Sequence, residues 1–415
     1  MIDTPVRRGL GRHWLPSSAS PDAAVLLSSR GVRAFADGFV SVLLPVYLLG
    51  LGFDGLQIGA VATATLVGSA ALTLLVGFVA HRFRARPLLS SAALLMAATG
   101  AGFTVVHGFW PLLVVAFVGT LNPSSGDVSV FLPLEQSVLP RTVNAKERTA
   151  LFARYSVVGS LVAALGALCA GAPELIATQG LLPFSQALQG MFVLYGALGL
   201  IALALYRRLS PVLEETQQAR APLRESRRIV YTLAGLFALD SLGGGFVVQS
   251  LVAFWLFQRF GLSAATAGTI FFWTGVMSAG SYLVAVPLAR RIGLVNTMVF
   301  THLPSNVLLL LTPLMPNLPL AILLLLGRSA LSQMDVPTRN SYVMAVVPPA
   351  ERPAAASVTA VPRSLAQAAP PLLSGYLLGL SSFGWPLVIA GVLKGIYDLL
   401  LLGLFAKVRP PEEVG

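Results

Sequence analysis

Residues 327–375 read GRSALSQMDVPTRNSYVMAVVPPAERPAAASVTAVPRSLAQAAPPLLSG. Arg328, Asp335 and Arg339 sit in or beside an apolar run that begins near Leu318, where each ionised side chain costs several kcal/mol unless it is paired or wetted. An earlier copy lies 204 positions upstream. Pro133, Ser137, Val143, Glu147, Arg148, Ala150, Val157, Ser160, Leu161, Ala164, Leu168 and Gly171 match Pro337, Ser341, Val347, Glu351, Arg352, Ala354, Val361, Ser364, Leu365, Ala368, Leu372 and Gly375 without a gap. Before Pro133 the offset becomes 208, which pairs Gly119 with Gly327 and Asp127 with Asp335 and leaves four extra residues in the first copy. Two halves built on one plan are expected.

The 415 residues are 55% hydrophobic and 11% charged, with a mean hydropathy of +0.78. That is too little charge to cover a soluble surface, and it implies a polytopic membrane protein. A net charge of +11 would suit nucleic acid if it formed one basic face, but the basic residues fall in short clusters between apolar runs. Twelve runs can be placed, roughly at 29–51, 56–80, 87–107, 109–138, 152–172, 184–206, 229–258, 264–288, 293–314, 318–346, 356–379 and 384–406. Most reach the ~20 residues that cross a bilayer as a helix. The basic clusters at 81–86, 141–148, 207–208 with 220–228, 290–291, Arg352, and Lys407 with Arg409 lie on alternate connections. Both termini are therefore expected in the cytoplasm, with the chain in the plasma (inner) membrane.

Residues 1–28 carry Arg7, Arg8 and Arg12 but lack the apolar core of a signal peptide, and read as a disordered cytoplasmic tail. The polar segment 209–228, with Pro211 and Pro222, reads as a linker between bundles 29–208 and 229–408, ahead of a tail at 409–415. Cys169 is alone, which excludes a disulfide within the chain. The repeat extends beyond the opening stretch: Gly38-Phe39-Val40 recurs as Gly245-Phe246-Val247, Gly52 and Gly59 recur as Gly261 and Gly268, and Ala80-His81-Arg82-Phe83 aligns with Ala289-Arg290-Arg291-Ile292.

Twelve spans in a six-plus-six duplication, with basic loops after spans 2 and 8, resemble the major facilitator superfamily of secondary transporters. Residues 77–86, GFVAHRFRAR, resemble that family's loop signature, although His81 stands where an aspartate is usual and Arg84 where a second glycine is usual. Residues 348–354 and 369–375 resemble its pattern at the junction of spans 10 and 11. The resemblance implies an all-α fold of two six-helix bundles related by a pseudo-two-fold axis, with spans 1, 4, 7 and 10 around a central cavity. It also implies a gate in which His81, Arg82, Arg84, Arg86, Glu147, Arg148, Arg290, Arg291, Glu351, Arg352 and Arg363 take part.

Polar residues do concentrate in those four spans. Arg328, Ser332, Asp335 and Arg339 follow at spacings of four, three and four, one face of a helix. Arg328 falls near the bilayer midplane, and its guanidinium fork suits a carboxylate or phosphate; the alternative is a structural pair across the cavity. Ser332, Gln333 and Gln249 are further substrate candidates. Asn122, Ser124 and Ser125 join them because the Asn122–Asp127 stretch, with Pro123 and Gly126, breaks span 4; a packed kink is the alternative. Asp37, Asp240, Asp127, Glu135 and Asp335 are the proton-coupling candidates, against local bridges from Asp37 to Arg33 and from Asp335 to Arg339. Lys394 and Asp398, one turn apart in span 12, read as a neutralising pair, and His302, near Pro304 and Asn306, as a packing or kink feature.

These features point to a proton-coupled secondary transporter of a small molecule, monomeric in the bilayer and without cofactor. The Pro-Pro and glycine pattern of span 11 leans it towards efflux by antiport. Import of an anionic metabolite with protons, or an uncoupled facilitator or lipid flippase, are the alternatives. No phosphate-binding loop, nucleophile motif or metal-ligand spacing marks an enzyme.

Overall fold

A computed structural model describes residues 15–79, 84–124, 129–144, 147–210, 223–348 and 351–405, without the side chains of 77–79, 149 and 353. Among the described residues every regular element is helical. Spans 1 to 3 are Pro21–Gly50, Gly55–Val79 and Ala85–Val105; span 6 is Phe184–Tyr206. Spans 8, 9 and 12 are Ala264–Ile292, Leu294–Leu311 and Trp385–Phe405. Span 1 starts before the expected residue 29, because Pro21 supplies a preset φ for the first helical turn. Ser17 and Ser18 of the expected tail are also placed, as described below. The linker segment 211–222 and the C-terminal tail lie outside the described residues.

The remaining spans are interrupted. Span 4 is Phe109–Val118 and Phe131–Val138, span 5 is Arg148–Leu168 and Ala172–Thr178, and span 7 is Arg227–Phe246 and Gln249–Phe260. Span 10 is Leu318–Ser332 and Asp335–Val346, and span 11 is Arg352–Ala368 and Pro370–Leu380. Spans 4, 7 and 10 are broken, three of the four expected beside the cavity, while span 1 is continuous; freed backbone groups are tolerated at depth only inside protein or beside water. Ten helical stretches are long and apolar enough to cross a membrane. The other two crossings are spans 4 and 11, shortened by the Pro123 break and by Pro370-Pro371.

The duplicated glycines do the same work in both halves. Gly52 and Gly261 adopt φ of 83° and 63°, left-handed backbone that favours glycine at the end of a helix. Gly59 and Gly268 each meet the other bundle, where an added Cβ would overlap the carbonyl of Pro371 or Ala167 respectively. Gly375 in turn abuts the backbone of Gly55 and Gly59. Small residues thus let spans 2 and 11, and spans 5 and 8, approach backbone to backbone.

Hydrogen bonds between the bundles accompany these contacts. Thr63 Oγ1 accepts from Leu372 N at 2.9 Å, Ser41 Oγ accepts from Gln249 Nε2 at 2.9 Å, and Pro123 O accepts from Ser250 N at 3.0 Å. Glu174 at the end of span 5 caps span 8, accepting from Ala264 N at 2.6 Å and Ala265 N at 3.2 Å. Thr63, Glu174 and the Gly55–Gly375 contact all lie at the end remote from the basic connections. The two bundles are closed on each other there.

Gly59→Val and Gly375→Val should each hold that end apart. A Thr63→Cys/Leu372→Cys pair should then crosslink at least about tenfold less than in the parent, because the packed interface is bistable rather than compressible; an unchanged yield would show that the contact does not control closure.

Candidate functional site

In the N-terminal bundle the focus is Glu135, fully buried in the second segment of span 4. Arg33 of span 1 pairs with its Oε2, which Tyr155 of span 5 also donates to. Tyr206 of span 6 donates to Oε1 at 2.6 Å and accepts from Arg33 Nε at 3.0 Å. The Arg33 guanidinium lies 4.2 Å from the Phe131 ring centroid. One carboxylate therefore ties four spans together. Asp37 is buried in the field of Arg33 and Arg30 but has no ion-pair partner within 4.0 Å. Arg30, 8% exposed, rests on Tyr155 and on the Gly159 backbone, with Nε and Nη1 unpartnered.

The C-terminal bundle is organised around Asp240 of span 7. Its Oδ1 accepts from Lys394 Nζ of span 12 at 2.6 Å, and its Oδ2 from Arg339 Nη1 of span 10 at 3.0 Å. His302 of span 9 brings Nε2 to 3.8 Å from Oδ1. Its Nδ1 lies 2.9 Å from Asp398 Oδ1 of span 12, and Asn306 Nδ2 donates to Asp398 Oδ2 at 2.8 Å. Asp335 faces Arg339 Nη2 at 3.6 Å. Every member of this network is buried.

The two networks are copies with the charges exchanged. The offset of 207 that maps Gly38 onto Gly245 carries Arg33 onto Asp240, and the offset of 204 that maps Pro133 onto Pro337 carries Glu135 onto Arg339. Arg33–Glu135 in one bundle thus occupies the place of Asp240–Arg339 in the other.

A second contact repeats without inversion. Glu147 accepts from Ser17 N and Oγ at 3.2 and 2.8 Å and from Ser18 N at 3.0 Å, and also from Ser18 Oγ. Glu351 accepts from Arg224, Glu225 and Ser226 N at 2.9, 3.0 and 3.2 Å, and from Ser226 Oγ. Each carboxylate cradles the chain entering span 1 or span 7. The serine hydroxyls, Ser18 for Glu147 and Ser226 for Glu351, with the backbone N–H groups, hold both carboxyls down to about 2.

The family profile of the Major Facilitator Superfamily matches residues 26–327. The chain belongs to that superfamily. It is an integral membrane transporter. An uncharacterized membrane protein of Saccharomyces cerevisiae, YJR124C, is 25% identical over 94% of this chain and 96% of its own. The crystal structure of the nucleoside transporter NupG superposes with a TM-score of 0.68 at 14% identity, covering 93% of this chain and 99% of that one. A bacterial homologue of the human lysosomal transporter Spinster, inward-facing and occupied, has a TM-score of 0.69 at 17% identity over 93% and 97%. At such identities the two structures speak for the fold alone.

The superfamily's cavity spans carry most of the expected site residues, but the contacts divide them. Arg328 has a buried Nε without a hydrogen-bond partner and lies in the field of Asp240, and the Ser332 hydroxyl one turn on is likewise buried and unpartnered. Gln333 accepts from Tyr282 at 2.9 Å, and Gln249 bridges the bundles to Ser41. Asn122 closes the span 4 break by accepting from Ser124 N and Oγ at 3.0 and 2.8 Å. Ser125, Asp127, His81 and Arg82 lie outside the described residues. Arg84 begins span 3 with Arg86 beside it, and Arg290 and Arg291 are exposed in the last turn of span 8. Arg148 is exposed, Arg352 Nε reaches Val347 O at 3.4 Å, and Arg363 lies within span 11. The contacts of Glu147 and Glu351 stay inside one bundle, so they fasten helix entries there rather than bridging the two halves.

Two readings need correction. Lys394 and Asp398 do not neutralise each other; one reaches span 7 and the other span 9. His302 is a polar member of the network rather than a packing residue. Their signal in the sequence was the recurrence of charge and imidazole at mid-depth in apolar runs 7, 9 and 12, which spacing within a single helix does not reveal. Tyr155 and Tyr206 gave no such signal, since tyrosines are common near span ends.

Arg33→Ala leaves Glu135 buried without its cation and should destabilise the protein by about 3–5 kcal/mol, read as a lower melting temperature. Arg33→Ala/Glu135→Leu should recover much of that loss. A second test uses the caps: their depressed carboxyls contribute stability above their ordinary 4.5, lost as pH falls towards about 2. Glu147→Gln/Glu351→Gln should lower the melting temperature at neutral pH and flatten its fall between those limits.

Proposed function

We propose that this transporter is proton-coupled and moves a small molecule through a site between its bundles, which rock about the close contacts of spans 2, 5, 8 and 11. The observation that carries this reading is Asp37, a buried carboxylate in span 1 with no ion-pair partner within 4.0 Å among the described residues, in a bundle where Glu135 is held by an arginine and two tyrosines. An unpaired carboxylate at depth favours its neutral form and ionises when water reaches it, which is the property a proton carrier needs.

Asp240 and Asp335 supply the matching acids of the other bundle. Lys394, Arg339 and the His302 imidazole reach Asp240 from three different spans, so a relative shift of any one span changes the balance of charge on it. The substrate is proposed to meet Arg328 and Ser332, whose buried Nε and hydroxyl have no hydrogen-bond partner among the described residues. His81, Arg82, Arg84, Arg86, Arg290, Arg291 and Arg363 are proposed to act at the gate on the basic side.

Placement of both termini in the cytoplasm, and of the protein in the plasma membrane as a monomer, rests on the distribution of Lys and Arg. Efflux rests on the span 11 pattern alone. In this structure Pro371 and Gly375 serve contact with span 2 and Pro370 packs on Gly245 of span 7, tasks common to both directions of transport.

Reconstituted protein with a pH gradient should drive flux of at least one compound from a metabolite and drug panel, and dissipating the gradient should abolish the accumulation. Asp37→Asn should retain folding and downhill exchange while losing at least about 90% of gradient-driven flux, since the carrier can no longer change charge. Gradient-independent flux in the parent would instead identify a facilitator.

A further inference from the structure

We infer that the C-terminal bundle takes up one proton and one anionic group together, the proton on His302 Nε2 and the anion on Arg328. This rests on the proton-coupled reading above and adds a substrate class, a second protonation site and a sign of coupling.

The inference begins with a count of charge. Among the described residues the network holds three acids, Asp240, Asp335 and Asp398, and three permanent cations, Arg328, Arg339 and Lys394. It is neutral while His302 is uncharged. His302 is buried, with Nδ1 2.9 Å from Asp398 Oδ1 and 3.1 Å from Asn306 Nδ2; in the tautomer whose Nδ1–H donates to the Asp398 carboxylate, Nε2 carries no proton and stands 3.8 Å from Asp240, beyond hydrogen-bond distance. That nitrogen is the place where a proton can be added, and once protonated it becomes a donor aimed at Asp240.

A proton alone would leave one surplus positive charge in a buried site. An anion alone would leave one surplus negative charge. Both together restore neutrality, and surplus charge is what a poorly solvated site penalises most. Proton and anion must therefore favour each other's binding, by the same factor in each direction.

The ligand class follows from the donors. Arg328 makes no ion pair within 4.0 Å, its Nε is buried and unpartnered, and Ser332 presents a buried, unpartnered hydroxyl four residues along the same helix face. A fork and a hydroxyl suit a carboxylate or a monoanionic phosphate ester.

The titratable and charged groups facing His302 come from every neighbour that bears one. Span 7 gives Asp240; span 10 gives Asp335, Arg339 and Arg328; span 12 gives Lys394, Tyr397 and Asp398. Span 8 also packs on span 9, and its Arg290 and Arg291 are exposed at its far end.

The test uses the purified full chain in weak buffer with benzoate, nicotinate, lactate and phenyl phosphate as probes, and benzamide and nicotinamide as neutral controls. At least one anion, and neither amide, should raise the melting temperature, with uptake of about one proton per anion bound and an affinity falling about tenfold per pH unit on the alkaline side. His302→Gln should abolish the proton uptake, and Arg328→Gln the anion-dependent shift, with the unliganded melting temperature reporting whether each variant folds. The parent's proton uptake decides the matter if a variant does not fold. No anion-dependent shift, or binding without proton uptake, overturns the inference. Gradient-driven flux confined to neutral or cationic compounds would also overturn it while leaving the proton-coupled reading intact.

Discussion

A charge placed at the depth of a bilayer must be compensated there, and this constraint shapes both bundles. Glu135 and Asp240 are each satisfied by groups from three other spans, so the ionic contacts act as cross-braces inside a bundle. The exchange of sign between Arg33–Glu135 and Asp240–Arg339 fits this view. What a buried pair must preserve is opposite charge at a fixed separation, and either polarity meets that requirement.

The interface between bundles has another character. Its close approaches join glycine and alanine backbones, and its few hydrogen bonds among the described residues involve Ser41, Thr63, Ser160, Glu174 and the span 7 break. The ion pairs described above each lie within one bundle. Separating the bundles exposes small residues and frees a handful of hydrogen bonds, whereas deforming either bundle would strip a buried charge of its partner. The weaker surface lies where alternating access requires movement.

The two copies of the opening stretch also show how far comparison of residues can go. Gly59 and Gly268, Gly52 and Gly261, and Glu147 and Glu351 matched letter for letter, and each pair does one job in both halves. Arg339 did not match Glu135, and comparison by identity alone leaves the two positions unrelated. The structure gives it the same architectural place as Glu135, because pairing is conserved under exchange of charge while spelling is not. Arg328 differs from both: among the described residues no ion pair within 4.0 Å involves it.

Composition, the spacing of apolar runs and the offset of 204 were enough to establish a membrane protein of twelve spans in two related halves. Those properties are local or additive along the chain, since hydropathy sums over a segment and a repeat is visible in one dimension. Partnership among buried charges is neither. Asp240, His302, Arg339 and Lys394 are separated by up to 154 residues, and spacing along one helix drew Lys394 towards Asp398. Only the packing of spans 7, 9, 10 and 12 decided that Lys394 belongs to Asp240 and Asp398 to His302, because a salt bridge is set by distances of a few ångströms between helices whose order in space the chain does not spell out.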